Sequence, residues 1–139
     1  MEKFMLNNDI KIFCVTAKSF PYGVLEAHQT LHSLAPYTKE RKYFGISRPV
    51  NGVIVYKSAA EELVKGDLSK HGLEESVIKK GKYVCIIVHN FMENIPAIGK
   101  AFDKLTAHPD IDPNGFCIEW YLNKKDVRCM VRLDPTKLT

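Results

Sequence analysis

The sequence has no closely spaced cysteine pair, no long apolar run and no glycine-rich phosphate loop. Each absence removes a class of function. Four cysteines occur among the 139 residues, Cys14, Cys85, Cys117 and Cys129, each inside a run that reads as a strand. None forms CxxC, which points to reduced, mostly buried thiols of a cytosolic protein and to no metal site. The longest apolar runs, such as VCIIV at 84–88, are too short to span a bilayer. The opening MEKFMLNNDIK lacks the apolar stretch of a signal peptide, so a cytoplasmic protein is expected, with no membrane partner. The eight glycines are scattered and form neither GxGxxG nor a Walker-type run, and no cofactor is expected. Net charge is only +4, and the densest basic cluster, Lys79, Lys80 and Lys82, falls at an expected turn. Direct nucleic-acid binding needs basic residues gathered on one face, and is not expected.

What is present is a repeat. Residues 11–20, KIFCVTAKSF, return as KYVCIIVHNF at 82–91. Lys11, Cys14 and Phe20 recur as Lys82, Cys85 and Phe91, an offset of 71 positions. The apolar stripe Val24, Ala27, Leu31 and Leu34 falls on Ile95, Ile98, Phe102 and Leu105. That spacing is helical.

The order of elements repeats too. A strand over 10–18 leads to a helix that Pro21 is placed to open and Pro36 to end. Strands at 42–47 and 52–59 follow, joined by Arg48-Pro49-Val50-Asn51-Gly52; Asn-Gly is a hairpin signal, and Pro49 lengthens the turn. In the second copy a strand over 82–89 precedes a helix around 93–106, with Pro96 in its first turn. The loop HPDIDPNG (108–115) leads to strands 116–123 and 126–133 around Lys124-Lys125. Residues 60–81 read as a polar connector, with a short helix at 59–65.

These elements predict an α+β fold: duplicated βαββ units forming an antiparallel sheet, with helices on one face and a ligand cleft at the pseudo-two-fold axis. Repeat 1 covers about 10–59, and repeat 2 about 82–134, in a single domain.

Strand side chains alternate between faces. If the apolar trio Ile118, Trp120 and Leu122 faces the helices, Glu119 and Tyr121 lie on the open face. Val127, Cys129, Val131 and Leu133 read as core, which turns Arg128, Met130 and Arg132 outward. At an offset of 74 the first-copy counterparts are Tyr43, Gly45 and Ser47, then Ile54, Tyr56 and Ser58. The open face thus collects Tyr43, Tyr56, Glu119, Tyr121 and Met130. An aromatic surface around one carboxylate suits a cationic or polar aromatic ligand. The same residues also fit a solvated face on which Glu119 pairs with Arg128 or Arg132 across the hairpin. His28 and His32 lie one helical turn apart, but EAHQTLH lacks the Glu of HExxH and no third ligand is in view. Ser47 has no neighbouring histidine to activate it.

The two-copy plan, IKKGKYVCIIVHN entering the second copy, and the ending CIEWYLNKKDVRCMVRL together resemble the GyrI-like (gyrase-inhibitor-like) small-molecule-binding domain. That domain is the effector-binding module of AraC-type and MerR-type multidrug-responsive regulators. FPYGVLEAHQTL and ERKYFGIS also resemble stand-alone members. The resemblance implies a ligand cleft with the strand-embedded Glu, here Glu119, touching the ligand, and with aromatic lining from Tyr43, Tyr56, Trp120 or Tyr121. It implies a small-molecule partner. Only about ten residues precede the first strand, so the helix-turn-helix of the regulators is not expected. Some stand-alone members resemble hydrolases of electrophilic cyclopropane-bearing compounds, in which the Glu would serve as the catalytic residue acting on water. An inhibitor binding a gyrase-like protein partner is the third reading. The ending CMVRLDP replaces the usual Pro-Val strand and leaves arginines near the cleft rim.

Overall fold

The computed structural model describes residues 1–137. Among them lie eight strands and two α-helices, an α+β fold: β1 (Glu2–Leu6), β2 (Ile10–Thr16), α1 (Val24–Leu34), β3 (Tyr43–Val50), β4 (Val53–Glu61), β5 (Glu74–Ile78), β6 (Gly81–Val88), α2 (Pro96–Thr106), β7 (Cys117–Tyr121) and β8 (Val127–Arg132). They group into two compact units. The central unit, Asp9–Ile78, pairs its strands antiparallel in the order β3-β4-β2-β5 and carries α1. The terminal unit, Met1–Asn8 with the chain from Lys79 onward, pairs antiparallel as β1-β6-β8-β7 and carries α2.

Each helix is held by a short apolar stripe. Ala27 and Leu31 are the buried residues of α1, and Ala101 and Leu105 those of α2, one turn apart in both cases. In the terminal unit Ala101 and Leu105 join Val84, Val88, Phe91, Val127, Cys129, Val131 and Leu133 in one core cluster. A fully buried leucine contributes about 2 kcal/mol by leaving water, so these stripes outweigh the modest propensities of the helices. Pro96 stands at the first helical position of α2, where its missing N–H costs nothing. Pro21, by contrast, lies in the turn before α1, whose cap is Gly23.

Four expectations are corrected. The strands β1 and β5 lie where no strand was expected, in the residues before the first expected strand and in the polar connector. Both are edge strands of their units, with the same pattern of one buried side chain in five, too weak an alternation to read. No helix forms at 59–65: β4 runs on to Glu61, where Arg41 donates to the Glu61 carbonyl at 2.9 Å and pairs with Asp67 at 3.1 Å. The β3–β4 turn is two residues long, because Asn51 and Gly52 both take positive φ (51° and 80°), as a type I′ turn requires, and Pro49 pairs with Ile54 inside the strand. Finally, the sheet faces away from the helices are not the open surfaces expected: each carries a buried apolar row, although Phe4, Trp120 and Arg128 on the terminal unit's face are only half-buried. Ile118, Met130, Tyr83 and Cys85 on one, and Ile12, Cys14, Phe44 and Ile46 on the other, are all buried.

The arginine that closes β8 is held by three acceptor contacts. Arg132 donates to the Lys80 carbonyl through Nε (3.1 Å) and Nη2 (3.0 Å), and to Asp112 through Nη1 (3.2 Å). Gly81 permits this: its φ is +141°, and a Cβ there would stand 3.1 Å from Arg132 Nε. Gly81→Ala should lower unfolding free energy by about 1–3 kcal/mol. Gly99, inside α2 with open space where a Cβ would stand, should behave oppositely, Gly99→Ala gaining about 0.5–1 kcal/mol. Urea denaturation of both variants checks the pair.

Candidate functional site

The terminal unit holds the only half-buried carboxylate that sequence reasoning singled out. Glu119 pairs with Cys129 across the β7–β8 hairpin, and Cys129 belongs to the core cluster with Ala101 and Leu105. Residues opposite each other in a sheet share a face. Glu119 therefore lies on the helix-bearing face, with Cys117 and Tyr121 beside it. Tyr121 donates its phenol to Glu119 Oε1 at 2.5 Å, a short bond of the charge-assisted kind. The Tyr121 ring leans on Phe91, centroids 5.6 Å apart. The surroundings are poorly hydrated: burial, and secondly the Glu119 charge, raise the Cys117 thiol, and the same causes push Cys129 up to about 12. Neither thiol is a nucleophile at neutral pH. A carboxylate tethered by a tyrosine whose ring leans on a second can hold a cation, or take a proton from a bound water.

The facing of β7 is reversed from the sequence expectation. Ile118 pairs with Met130 and Trp120 with Arg128, so the apolar trio looks away from α2. Apolarity did not discriminate because this second face is buried as well, Ile118 at 2% and Met130 at 0% exposure. Met130 is thus a core residue. Trp120 stands half-buried on that face, edge-on to Phe4 of β1 at 5.9 Å, and the Arg128 guanidinium lies 4.2 Å from the Phe4 ring centroid and 5.2 Å from that of Trp120.

Tyr43 and Tyr56 belong to the central unit, and both are buried beneath α1. Tyr56 OH lies 2.9 Å from His28 Nε2, and Ser58 Oγ lies 2.6 Å from His28 Nδ1. One ring nitrogen must donate and the other accept. Ser58 is 0% exposed, so the trio is a hydrogen-bonded chain inside the unit rather than an accessible nucleophile. Tyr43 donates to the Pro36 carbonyl at 3.0 Å, receives the Thr38 N–H at 2.9 Å, and lies 5.0 Å from the His32 ring. The structure thus joins Glu119 with Tyr121, joins Tyr56 with His28 and Tyr43 with His32, and puts Trp120 and Met130 on another face. Ser58, His28, Phe91 and Phe4 went unassigned in the sequence. Of these His28, weighed in the sequence only as a metal partner of His32, alone carried a signal, since it stands three residues before the buried Leu31 of α1.

The four cysteines are unpaired, three of them buried. Among the described residues no three His, Cys, Asp or Glu side chains gather to hold a metal, and no helix is long and apolar enough to cross a membrane.

No family model matches the sequence, and no curated protein does. Solved structures share its fold. An integron cassette protein from the mobile metagenome of Vibrio cholerae superposes with a TM-score of 0.68 at 14% identity, over 95% of this chain and 94% of that one. A hydrolase from Listeria innocua superposes with a TM-score of 0.57 at 13% identity, over 96% of this chain and 90% of that one. At these identities the likeness is one of fold.

Burial, with the nearby His32 as a lesser cause, pushes His28 down to about 4 from the ordinary 6.5. The unfolded chain then takes up a proton near pH 6.5 that folded His28 refuses until about pH 4. Stability must fall as pH drops through this window, by about 2 kcal/mol between pH 7 and pH 5 from His28 alone. In His28→Gln, which cannot titrate, the loss over that interval should shrink by this amount. Urea titrations of both proteins at the two pH values measure it.

Proposed function

We propose that the chain is a small-molecule-binding domain of the GyrI-like kind, taking aromatic cations at Glu119 and Tyr121. The observation that carries the reading is the 2.5 Å bond from Tyr121 to a half-buried Glu119, with Phe91 behind it and un-ionised thiols beside it. Such a carboxylate faces little competing water, so a cation with an apolar body gains both Coulomb energy and ring contact. In this reading Glu119 stands on the wall of the ligand cleft that the resemblance implies, and the two units are copies of one ancestor. Their pairing supports common descent. Cys14 lies between Glu74 and Ala59, and Cys85 between Glu2 and Met130. Ser58 then answers to Cys129 rather than to Arg132, the match that an offset of 74 gives, and the partners of Ser58 and Cys129 are Gly45 and Glu119. One copy bears a glycine where the other bears the carboxylate.

The hydrolase reading uses the same pair, and the fold shared with the Listeria innocua hydrolase favours keeping it. Glu119 would accept a proton from water as its oxygen bonds to a ring carbon of a cyclopropane. The strained C–C bond breaks onto a conjugated acceptor, which takes up a proton.

Calorimetric titration with tetraphenylphosphonium tests the binding reading. Wild type should bind it, and Glu119→Gln should weaken binding about tenfold or more, the worth of one desolvated charge pair, with the melting temperature nearly unchanged. Tyr121→Phe should lose less. Equal affinity in Glu119→Gln would refute the assignment. Turnover of an electrophilic cyclopropane-bearing arene by wild type, abolished in Glu119→Ala, would select the hydrolase.

A further inference from the structure

Two arginines lie four residues apart on the same face of β8, and they are treated differently. Arg132 makes three hydrogen bonds, with one carboxylate and one carbonyl as acceptors. Arg128 has neither. Its Nε is buried without a hydrogen-bond partner. Among the described residues its guanidinium makes no ion pair, and what it touches are the rings of Phe4 and Trp120. Glu2, which shares the face of Phe4 on β1, makes no ion pair with it. A guanidinium carries five N–H donors in a planar fork that fits a carboxylate two at a time. Stacking on rings fixes the plane of that fork but accepts none of its hydrogen bonds. The result is an oriented, half-buried cation with no ion-paired carboxylate among the described residues, beside two half-buried aromatic rings.

We propose that Arg128, Phe4 and Trp120 form a second binding site, for a small aromatic carboxylate, on the face of the terminal unit turned away from α2. The carboxylate accepts from the Arg128 terminal amines, and its aromatic body lies against Trp120 and Phe4. The site is independent of the Glu119 assignment. It lies on the other side of the same hairpin, it selects the opposite charge, and it stands or falls without it.

Trp120 is the sole tryptophan of the chain, so tryptophan emission, excited at the red edge where tyrosine does not absorb, reports on this site alone. Benzoate titrated into wild type should change the emission saturably. Benzamide has the same shape without the charge and should need about tenfold more, the typical cost of losing a charged hydrogen-bond acceptor. Arg128→Gln should abolish the benzoate response, and Arg128→Lys, which keeps the charge but loses the fork, should retain a weakened one. Inorganic phosphate at equal concentration should compete poorly, since it has no ring to stack. A linear, non-saturating response, equal responses to benzoate and benzamide, or an unchanged response in Arg128→Gln would each overturn the proposal. Should Arg128→Gln fail to fold, the benzoate-to-benzamide ratio in wild type decides.

Discussion

The register of the last hairpin fixes the chemistry of the terminal unit. Glu119 opposite Cys129 puts the carboxylate with the helix-side core, and Trp120 opposite Arg128 puts the indole and the guanidinium on the reverse. A slip of one residue would exchange the two sets. It would press Arg128 into the cluster of Val84, Ala101 and Leu105 and leave Val127 and Cys129 outside it. The apolar positions of β8 forbid that, and so they decide where the charges of both strands go.

The fold was readable where one feature dominated locally. The helical stripes through Leu31 and Leu105 and the runs of β2, β3, β6 and β8 stand out because large apolar side chains recur at a fixed period. The strands β1 and β5 did not, because an edge strand with one buried residue in five needs little apolar sequence and takes its order from its neighbour. The side on which Glu119 lies was not legible from β7 alone. In CIEWY both faces meet buried surroundings, so alternation is present but does not say which half faces the helix. Pairing with β8 carried that information, since Cys129 and Val131 had already been read as core.

His28 shows the limit from another direction. Two histidines one turn apart suggest a shared metal or a solvated flank. In the structure they part ways: His28 is bonded on both nitrogens to Ser58 and Tyr56, while His32 lies against Tyr43. What the sequence lacked was the strand across from the helix, because Ser58 and Tyr56 are 30 and 28 positions away. Beneath α1 the interior is thus a neutral hydrogen-bonded chain, and beneath α2 it is apolar, with a half-buried carboxylate paired across from Cys129. On the proposed reading, this difference between units with the same strand plan confines ligand chemistry to one of them.

A selectively labelled NMR titration tests the central claim most directly, with ¹³C-tyrosine and ¹⁵N-tryptophan in one sample and tetraphenylphosphonium as ligand. The expected result is a saturable shift of the Tyr121 ring signals, with the Trp120 indole N–H unmoved on the opposite face. A shift at Trp120 with Tyr121 unaffected would contradict both the facing of the hairpin toward its ligand and the role given to Glu119.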